Sequence, residues 1–108
     1  MGALVVITNT PSREVALRIA QALIERRLAA CVNILAECTS FYRWQGKLEK
    51  EFEIPLLVKT RSEIYEEVQA TIRSLHPYEL PEIIAVPVEH GLPEYLEWVN
   101  TETISRIP

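Results

Sequence analysis

Hydrophobic and polar positions follow strand and helix periods in turn along the chain. Residues 3–7 form a short apolar run with β-branched side chains, which predicts a buried strand. Ser12 then provides a helix N-cap, and apolar residues recur at helical spacing from Val15 to Leu23. A second helix is predicted after residues 60–63, which match a capping box. Its apolar side is formed by Ile64, Val68, Ile72 and Leu75.

The last third of the chain predicts one more strand and one more helix. His76 and Pro77 end the second helix, because proline cannot continue it. Residues 81–89 are an apolar run typical of a strand. Pro93 is suited to the first position of a short final helix.

Between the two long helices, the pattern predicts a β-hairpin over residues 31–60 with its turn at Gln45-Gly46. Its arms, 31–44 and 47–60, have 14 residues each and would reach about 45 Å. A compact chain of this size has a radius of gyration of about 13 Å, so the hairpin is expected to extend beyond its own domain. Apolar residues near the tip and open strand edges favour coverage by a partner; these residues are Phe41, Tyr42, Trp44, Leu48 and Phe52.

Pairing across the hairpin predicts an irregularity. A two-residue loop makes paired residue numbers sum to 91, which places Val58 opposite the polar Asn33. One extra residue within 36–38 changes the sum to 90 and pairs Val58 with Val32. Pro55, which cannot donate to a ladder, lies beside the same point. We therefore expect the ribbon to bend there.

The order of elements, β-α-β-β-α-β followed by a helix, predicts an α+β protein of the ferredoxin-like class. In this class an antiparallel sheet carries two helices on one face. The 108 residues are expected to form a single domain, 1–108. The other face of the sheet must meet solvent or another subunit, and the long hairpin favours another subunit.

Composition excludes several functions. A net charge of −4 and scattered arginines predict no nucleic-acid partner. The N-terminus has no basic segment and its apolar run stops at Thr8, so we expect no membrane association and a cytoplasmic protein. Glycine occurs only at positions 2, 46 and 91, which leaves no phosphate-binding loop or nucleophile elbow. We therefore expect a protein that is not an enzyme.

The residues suited to soft metals are two cysteines and two histidines. Cys31 and Cys38 lie about 20 Å apart on an extended strand, so both are expected to be free thiols. None of the four, His76 and His90 included, stands at a chelating spacing. Cys31 and His76 are nevertheless candidate ligands for copper or another divalent cation, bound weakly. The alternatives are a small core residue for Cys31 and a helix-terminal cation for His76.

A polar and aromatic pocket is a second candidate site. The segment after the second helix presents an imidazole, a phenol and two carboxylates between two prolines. A pocket there would contain Tyr78 and Glu82, with Lys59 as a cation and Trp44 and Trp98 as aromatic walls. Because Trp44 lies at the hairpin tip, we expect it to reach a neighbouring subunit's pocket. The alternative is a rigid connection whose charges are solvated.

Five blocks of the sequence resemble the CutA divalent-cation tolerance proteins in order and spacing. They are AACVN at 29–33, SFYRWQGK at 40–47, LVKT at 57–60, HPYELPE at 76–82 and YLEW at 95–98. The resemblance implies a ferredoxin-like subunit akin to the PII signalling proteins, assembled as a homotrimer through its hairpins. It also implies a role in tolerance of copper and other divalent cations. The alternative is a PII-like sensor that binds a small anionic metabolite between subunits.

The sequence departs from this family at a proposed copper site. Members with that site carry a Cys late in the first strand and a His-His pair before the proline. The corresponding residues here are Thr8 and the Leu75-His76 pair, so one ligand of three remains. The resemblance therefore implies a trimer with its pocket residues, and at most weak copper binding at that site.

Overall fold

The computed structural model describes residues 2–104, and five antiparallel strands form its sheet system. The elements in chain order are β1 (Ala3–Thr10), α1 (Arg13–Glu25), β2 (Cys31–Ile34), β3 (Cys38–Trp44), β4 (Lys47–Arg61), a 3₁₀ turn (Ser62–Ile64), α2 (Tyr65–Leu75), β5 (Ile83–Pro87) and α3 (Pro93–Glu102). The strand order is β2-β4-β1-β5, and β3 pairs with the outer part of β4. This is the ferredoxin-like arrangement predicted from the order of elements.

Alternation along β1 and β4 decides which face of the sheet holds the core. Val6, Leu56 and Val58 are fully buried and pack in one cluster with side chains of α1 and α2. Because successive strand residues face opposite sides, the odd-numbered residues of these strands form the other side of the sheet. We call that side the open face; it includes Leu57 and Lys59, both partly exposed.

The hairpin contains the predicted irregularity. Its turn is formed by Gln45 and Gly46, with φ of 51° and 82°, as in a type I′ turn. β3 pairs with β4 in the register that sums to 91, whereas β2 pairs with β4 in the register that sums to 90. Val32 thus lies opposite Val58, as predicted, and Ile34 lies opposite Leu56. The break occupies residues 35–37, one residue earlier than predicted.

Beyond this break, residues 38–53 form a two-stranded ribbon. The described residues span 47 × 26 × 23 Å, and this elongated shape fits a hairpin that extends past the sheet. Strand pairing and alternation place Phe41, Leu48 and Phe52 on one face of the ribbon. We call this the outer face; its three apolar side chains are 67%, 71% and 56% exposed. The opposite, inner face carries Tyr42, Trp44 and the glutamates 49, 51 and 53.

The predicted capping box at residues 60–63 is wrong. Thr60 is fully buried in β4, and its hydroxyl donates to the Leu28 carbonyl at 2.7 Å. The sheet continues to Arg61, which pairs with Ala3, so Thr60 lies in a strand and cannot cap a helix. A 3₁₀ turn leads into α2, and within residues 2–104 neither segment has a side-chain hydrogen bond at its N-cap. β1 is also longer than predicted, because Thr8 and Thr10 continue its pairing with β4.

Candidate functional site

A cavity of about 600 Å³ lies between the ribbon and the segment 76–82 that follows α2. The ribbon contributes Tyr42, Trp44 and Glu53 among other residues, and Asn9 lies at the end of β1. The segment after α2 contributes Tyr78, Glu79, Leu80 and Glu82. The cavity is therefore bordered by three separate parts of the chain, and its shape depends on how each is held.

His76 fixes the segment 76–82 to the end of β1. The imidazole is 7% exposed, and its Nδ1 accepts a hydrogen bond of 3.2 Å from the Tyr78 backbone N–H. Because a backbone N–H can only donate, Nδ1 carries no proton and the proton lies on Nε2. Nε2 then donates to the Asn9 carbonyl, 2.6 Å away. Both ring nitrogens are thus occupied, an arrangement that a helix-terminal imidazolium could not make.

A buried carboxylate and a phenol meet inside the cavity. Glu53 is 6% exposed, and it lines the same cavity as Tyr78. Burial raises the pKa of Tyr78 well above its ordinary value, and the nearby Glu53 carboxylate raises it further. Partial burial also raises the pKa of Tyr42, and the neighbouring Glu51, Glu49 and Glu53 add to that effect. Both phenols are consequently neutral donors over the physiological pH range.

The cavity has an acidic and aromatic lining. Glu53 has Glu49 and Glu51 as neighbours along the inner face of the ribbon. Glu79 and Glu82 add two carboxylates from the other side. Arg43 is the only basic residue among the described residues of the lining. By alternation its side chain belongs with Leu48 on the outer face, and three glutamates against this one arginine leave the described lining net negative.

The five residues predicted to form a pocket fall into two groups within one chain. Trp44, Tyr78 and Glu82 line the cavity, and Glu82 accepts a hydrogen bond of 3.1 Å from the Asn9 side chain. Lys59 and Trp98 do not line it.

The second group lies near β2 and α3. The Lys59 ammonium donates to the Asn33 side chain on β2, and the Trp98 ring lies 5.5 Å from that of Tyr95. Lys59 pairs with Val5, four residues along β1 from Asn9 and therefore about 13 Å from it. That all five residues meet between subunits stays a prediction.

The sequence reasoning missed Asn9 and Tyr42 of the cavity lining and, most importantly, the buried Glu53. Its burial depends on the segment 76–82, which lies more than 20 positions further along the chain. A signal was present in the alternating Glu49, Glu51 and Glu53. Once the outer hairpin register is fixed, this alternation places the three glutamates on the same face as Tyr42 and Trp44.

The two candidate metal ligands lie apart within the chain. Cys31 pairs with Lys59, whereas His76 contacts Asn9 at the far end of β1. Cys31 is a free cysteine, and its thiol lies near the Tyr95 hydroxyl. Burial raises the pKa of Tyr95, and the neighbouring thiol raises it further. His76 has no free lone pair in this conformation. Within residues 2–104, no three His, Cys, Asp or Glu side chains are grouped as a metal site would require.

The position that matches the cysteine of the proposed family copper site lies in the core. Thr8 is fully buried, and no hydrogen-bond partner for its hydroxyl is found in the described part of the chain. The other residue that departs from the pattern, Leu75, packs against the same core cluster. A copper site formed by Cys31 and His76 stays a prediction and would need residues from more than one subunit.

These features define a class: a ferredoxin-like α+β protein whose hairpin extends from the sheet as a ribbon. The family model described as CutA1 divalent ion tolerance protein matches residues 4–102. The chain belongs to this family.

Individual relatives support the assignment. The divalent-cation tolerance protein CutA of Thermus thermophilus is 48% identical over 92% of this chain and 96% of its own length. The solved Cut A1 structure from Thermus thermophilus matches with a TM-score of 0.92 over 94% of this chain and 98% of that one. Mouse Protein CutA is 47% identical over 89% of this chain, which spans only 55% of the mouse protein.

The description of a third relative names a cellular location. The solved structure described as the periplasmic divalent cation tolerance protein CutA from Archaeoglobus fulgidus is 43% identical, with a TM-score of 0.90. The match covers 93% of this chain and 97% of the Archaeoglobus chain. In the present chain, none of the helices within residues 2–104 has the length and apolar character needed to cross a bilayer.

Proposed function

We propose that this protein acts in divalent-cation tolerance, copper included, as a homotrimer without enzymatic activity. Family membership supports the tolerance role. The observation that carries the assembly is the outer face of the ribbon, where Phe41, Leu48 and Phe52 are mostly exposed. An isolated ribbon with an apolar face and an open edge invites pairing with other chains. Other copies of this chain would cover it, and the number three rests on the family resemblance.

The open face of the sheet is the second surface available to neighbouring subunits. Ile84 and Val86 of β5 are half exposed and pair with Ile7 and Val5 of β1. These four apolar side chains lie together on the open face. A stable trimer would bury this surface together with the outer face of the ribbon.

Light scattering tests the assembly. The parent protein should have about three times the chain mass of 12.4 kDa. Leu48→Glu places a charge on the outer face and should weaken the trimer. Leu17→Glu is the matched control, since Leu17 is an exposed leucine on α1. A monodisperse parent monomer at micromolar concentration, or equal weakening by both substitutions, would contradict the proposal.

Growth of a host lacking its own relative tests the tolerance role. Expression of the parent protein should raise the Cu²⁺ concentration that stops growth, and Leu48→Glu should do so less than Leu17→Glu. Calorimetric titration with Cu²⁺ should give weak binding, because one imidazole or thiol alone does not hold a metal tightly. Submicromolar Cu²⁺ binding that Cys31→Ser or His76→Ala abolishes would instead favour a direct copper site.

The alternative, a PII-like sensor for a small anionic metabolite, is not favoured by the cavity. Its described lining includes three glutamates and Arg43 as its only basic residue, so an anion would meet net repulsion. A cytoplasmic location, with no nucleic-acid or membrane partner, is part of the proposal. The net charge of −4 supports the absence of a nucleic-acid partner.

A further inference from the structure

The cavity between the ribbon and the segment 76–82 has a chemistry that divalent-cation tolerance does not require. We propose that it binds a small organic cation: an ammonium compound with an apolar body. This inference does not depend on the tolerance role, and it concerns a ligand held by carboxylates and aromatic rings rather than a coordinated metal.

The charge of the cavity selects a cation. Glu53 is almost fully buried, and a buried carboxylate is stable only when it is paired. The ion pairs found among residues 2–104 do not include Glu53, and the Tyr78 hydroxyl in the same cavity wall is neutral, so no cation balances the negative charge. An ammonium group beside Glu53 would supply both the balancing charge and further hydrogen-bond donors. Glu79 and Glu82 lie on the opposite wall and add to the attraction.

The aromatic lining selects an organic cation. Tyr42, Trp44 and Tyr78 all contribute to the cavity wall, and the faces of such rings attract cations with low hydration. The volume of about 600 Å³ falls within the range of small-molecule sites and exceeds the needs of a single ion. Metal ions require several ligating groups at short distance, and the described residues hold no such group.

Three probes of similar size and different charge test the inference. Benzylammonium, benzyl alcohol and benzoate are titrated at pH 7 into a Trp98→Phe protein. This change leaves Trp44 in the cavity wall as the only tryptophan. Its fluorescence should report benzylammonium binding about tenfold tighter than benzyl alcohol, and benzoate binding weakest. Benzyl alcohol binding as tightly as benzylammonium, or no binding of any probe, would overturn the proposal.

Paired charge-removing variants identify the group responsible. Glu53→Gln keeps the side-chain shape and should weaken benzylammonium binding about tenfold, with little change for benzyl alcohol. Glu94→Gln on α3 removes the same charge outside the cavity and should leave both affinities unchanged. Equal losses in the two variants would show a general charge effect and overturn the site. Light scattering on the same samples distinguishes failure of this site from failure of the proposed trimer, since a protein that has the expected trimer mass but does not bind benzylammonium contradicts only the site.

Discussion

Three buried threonines of the sheet make a sharp test of the hydrogen bonding in this core. Thr8, Thr10 and Thr60 are each 0% exposed, and Thr→Val replaces a hydroxyl by a methyl group of similar size. The hydroxyl of Thr60 donates to the Leu28 carbonyl, and that of Thr10 lies within 3.1 Å of the Ile54 and Ser12 carbonyls. The Thr8 hydroxyl has no partner in the described part of the chain. Thr→Val is therefore expected to stabilise the protein at position 8 and to destabilise it at positions 10 and 60.

The expected magnitudes follow from these contacts. A buried hydroxyl without a partner costs about 1–3 kcal/mol, so Thr8→Val should raise the free energy of unfolding by about 1 kcal/mol. At Thr60 the change leaves a buried carbonyl unpaired, which costs about 1–3 kcal/mol. Thr10→Val should resemble Thr60→Val. The two classes of variant should thus differ by at least about 2 kcal/mol.

Urea unfolding at one fixed protein concentration measures this difference, since stability depends on concentration if the protein assembles. With a slope of about 1–3 kcal/mol/M, the midpoints of Thr8→Val and Thr60→Val should lie about 1 M apart. If Thr8→Val were as destabilising as Thr60→Val, the Thr8 hydroxyl would have to be paired. The reasoning about unpaired groups in this core would then be refuted.

Three further predictions concern the cavity and the hairpin. His76→Phe keeps a ring but removes the bonds to Asn9 and Tyr78, so urea unfolding should show a loss of about 2–4 kcal/mol. His76→Asn can still accept from the Tyr78 N–H in an Asx-turn and should lose less; a parent-like midpoint for His76→Phe would contradict the role of these bonds. Gly46→Ala should lower the melting temperature through a loss of about 1 kcal/mol, because Gly46 has a φ of 82°, and an unchanged melting temperature would argue against the type I′ turn. Because the pKa of Tyr78 is raised by burial and by Glu53, the stability due to its neutral form is present below about pH 10 and lost as pH rises above that value. In a titration followed by phenolate absorbance, Tyr78→Phe should remove the step at the highest pH. If it removed only a step near pH 10, the raised pKa of Tyr78 would be contradicted.

The sequence predicted the fold well where a pattern repeats within one element. The two-residue turn, the helix N-cap at Ser12 and the register shift all depend on residues that are near each other in the sequence or in the hairpin. The capping box at residues 60–63 failed for the opposite reason. Its local signal was overridden when Arg61 paired with Ala3, a contact across most of the chain.

The candidate site was less predictable, because its residues come from three separate segments. Tyr78 and Glu82 were identified from a short motif, and Trp44 from its place near the turn. Glu53 required both the hairpin register and the position of the segment after α2. Lys59 and the cavity lie at different parts of β4. Val5, the partner of Lys59 on β1, is about 13 Å from Asn9 in the cavity wall, and no local sequence pattern predicts this separation.

The break at residues 35–37 determines the chemistry of the cavity as well as the shape of the ribbon. With the outer register summing to 91, Tyr42 and Trp44 share the inner face with Glu53. If the register of the inner sheet, which sums to 90, continued to the tip, every side chain of β3 would change faces relative to β4. Arg43 would then lie among the glutamates and neutralise them, and the two aromatic rings would lie with the apolar outer face. The one extra residue in the break thus places acidic and aromatic side chains on one face of the ribbon and apolar side chains on the other, as the proposed ligand site and the proposed subunit contact each require.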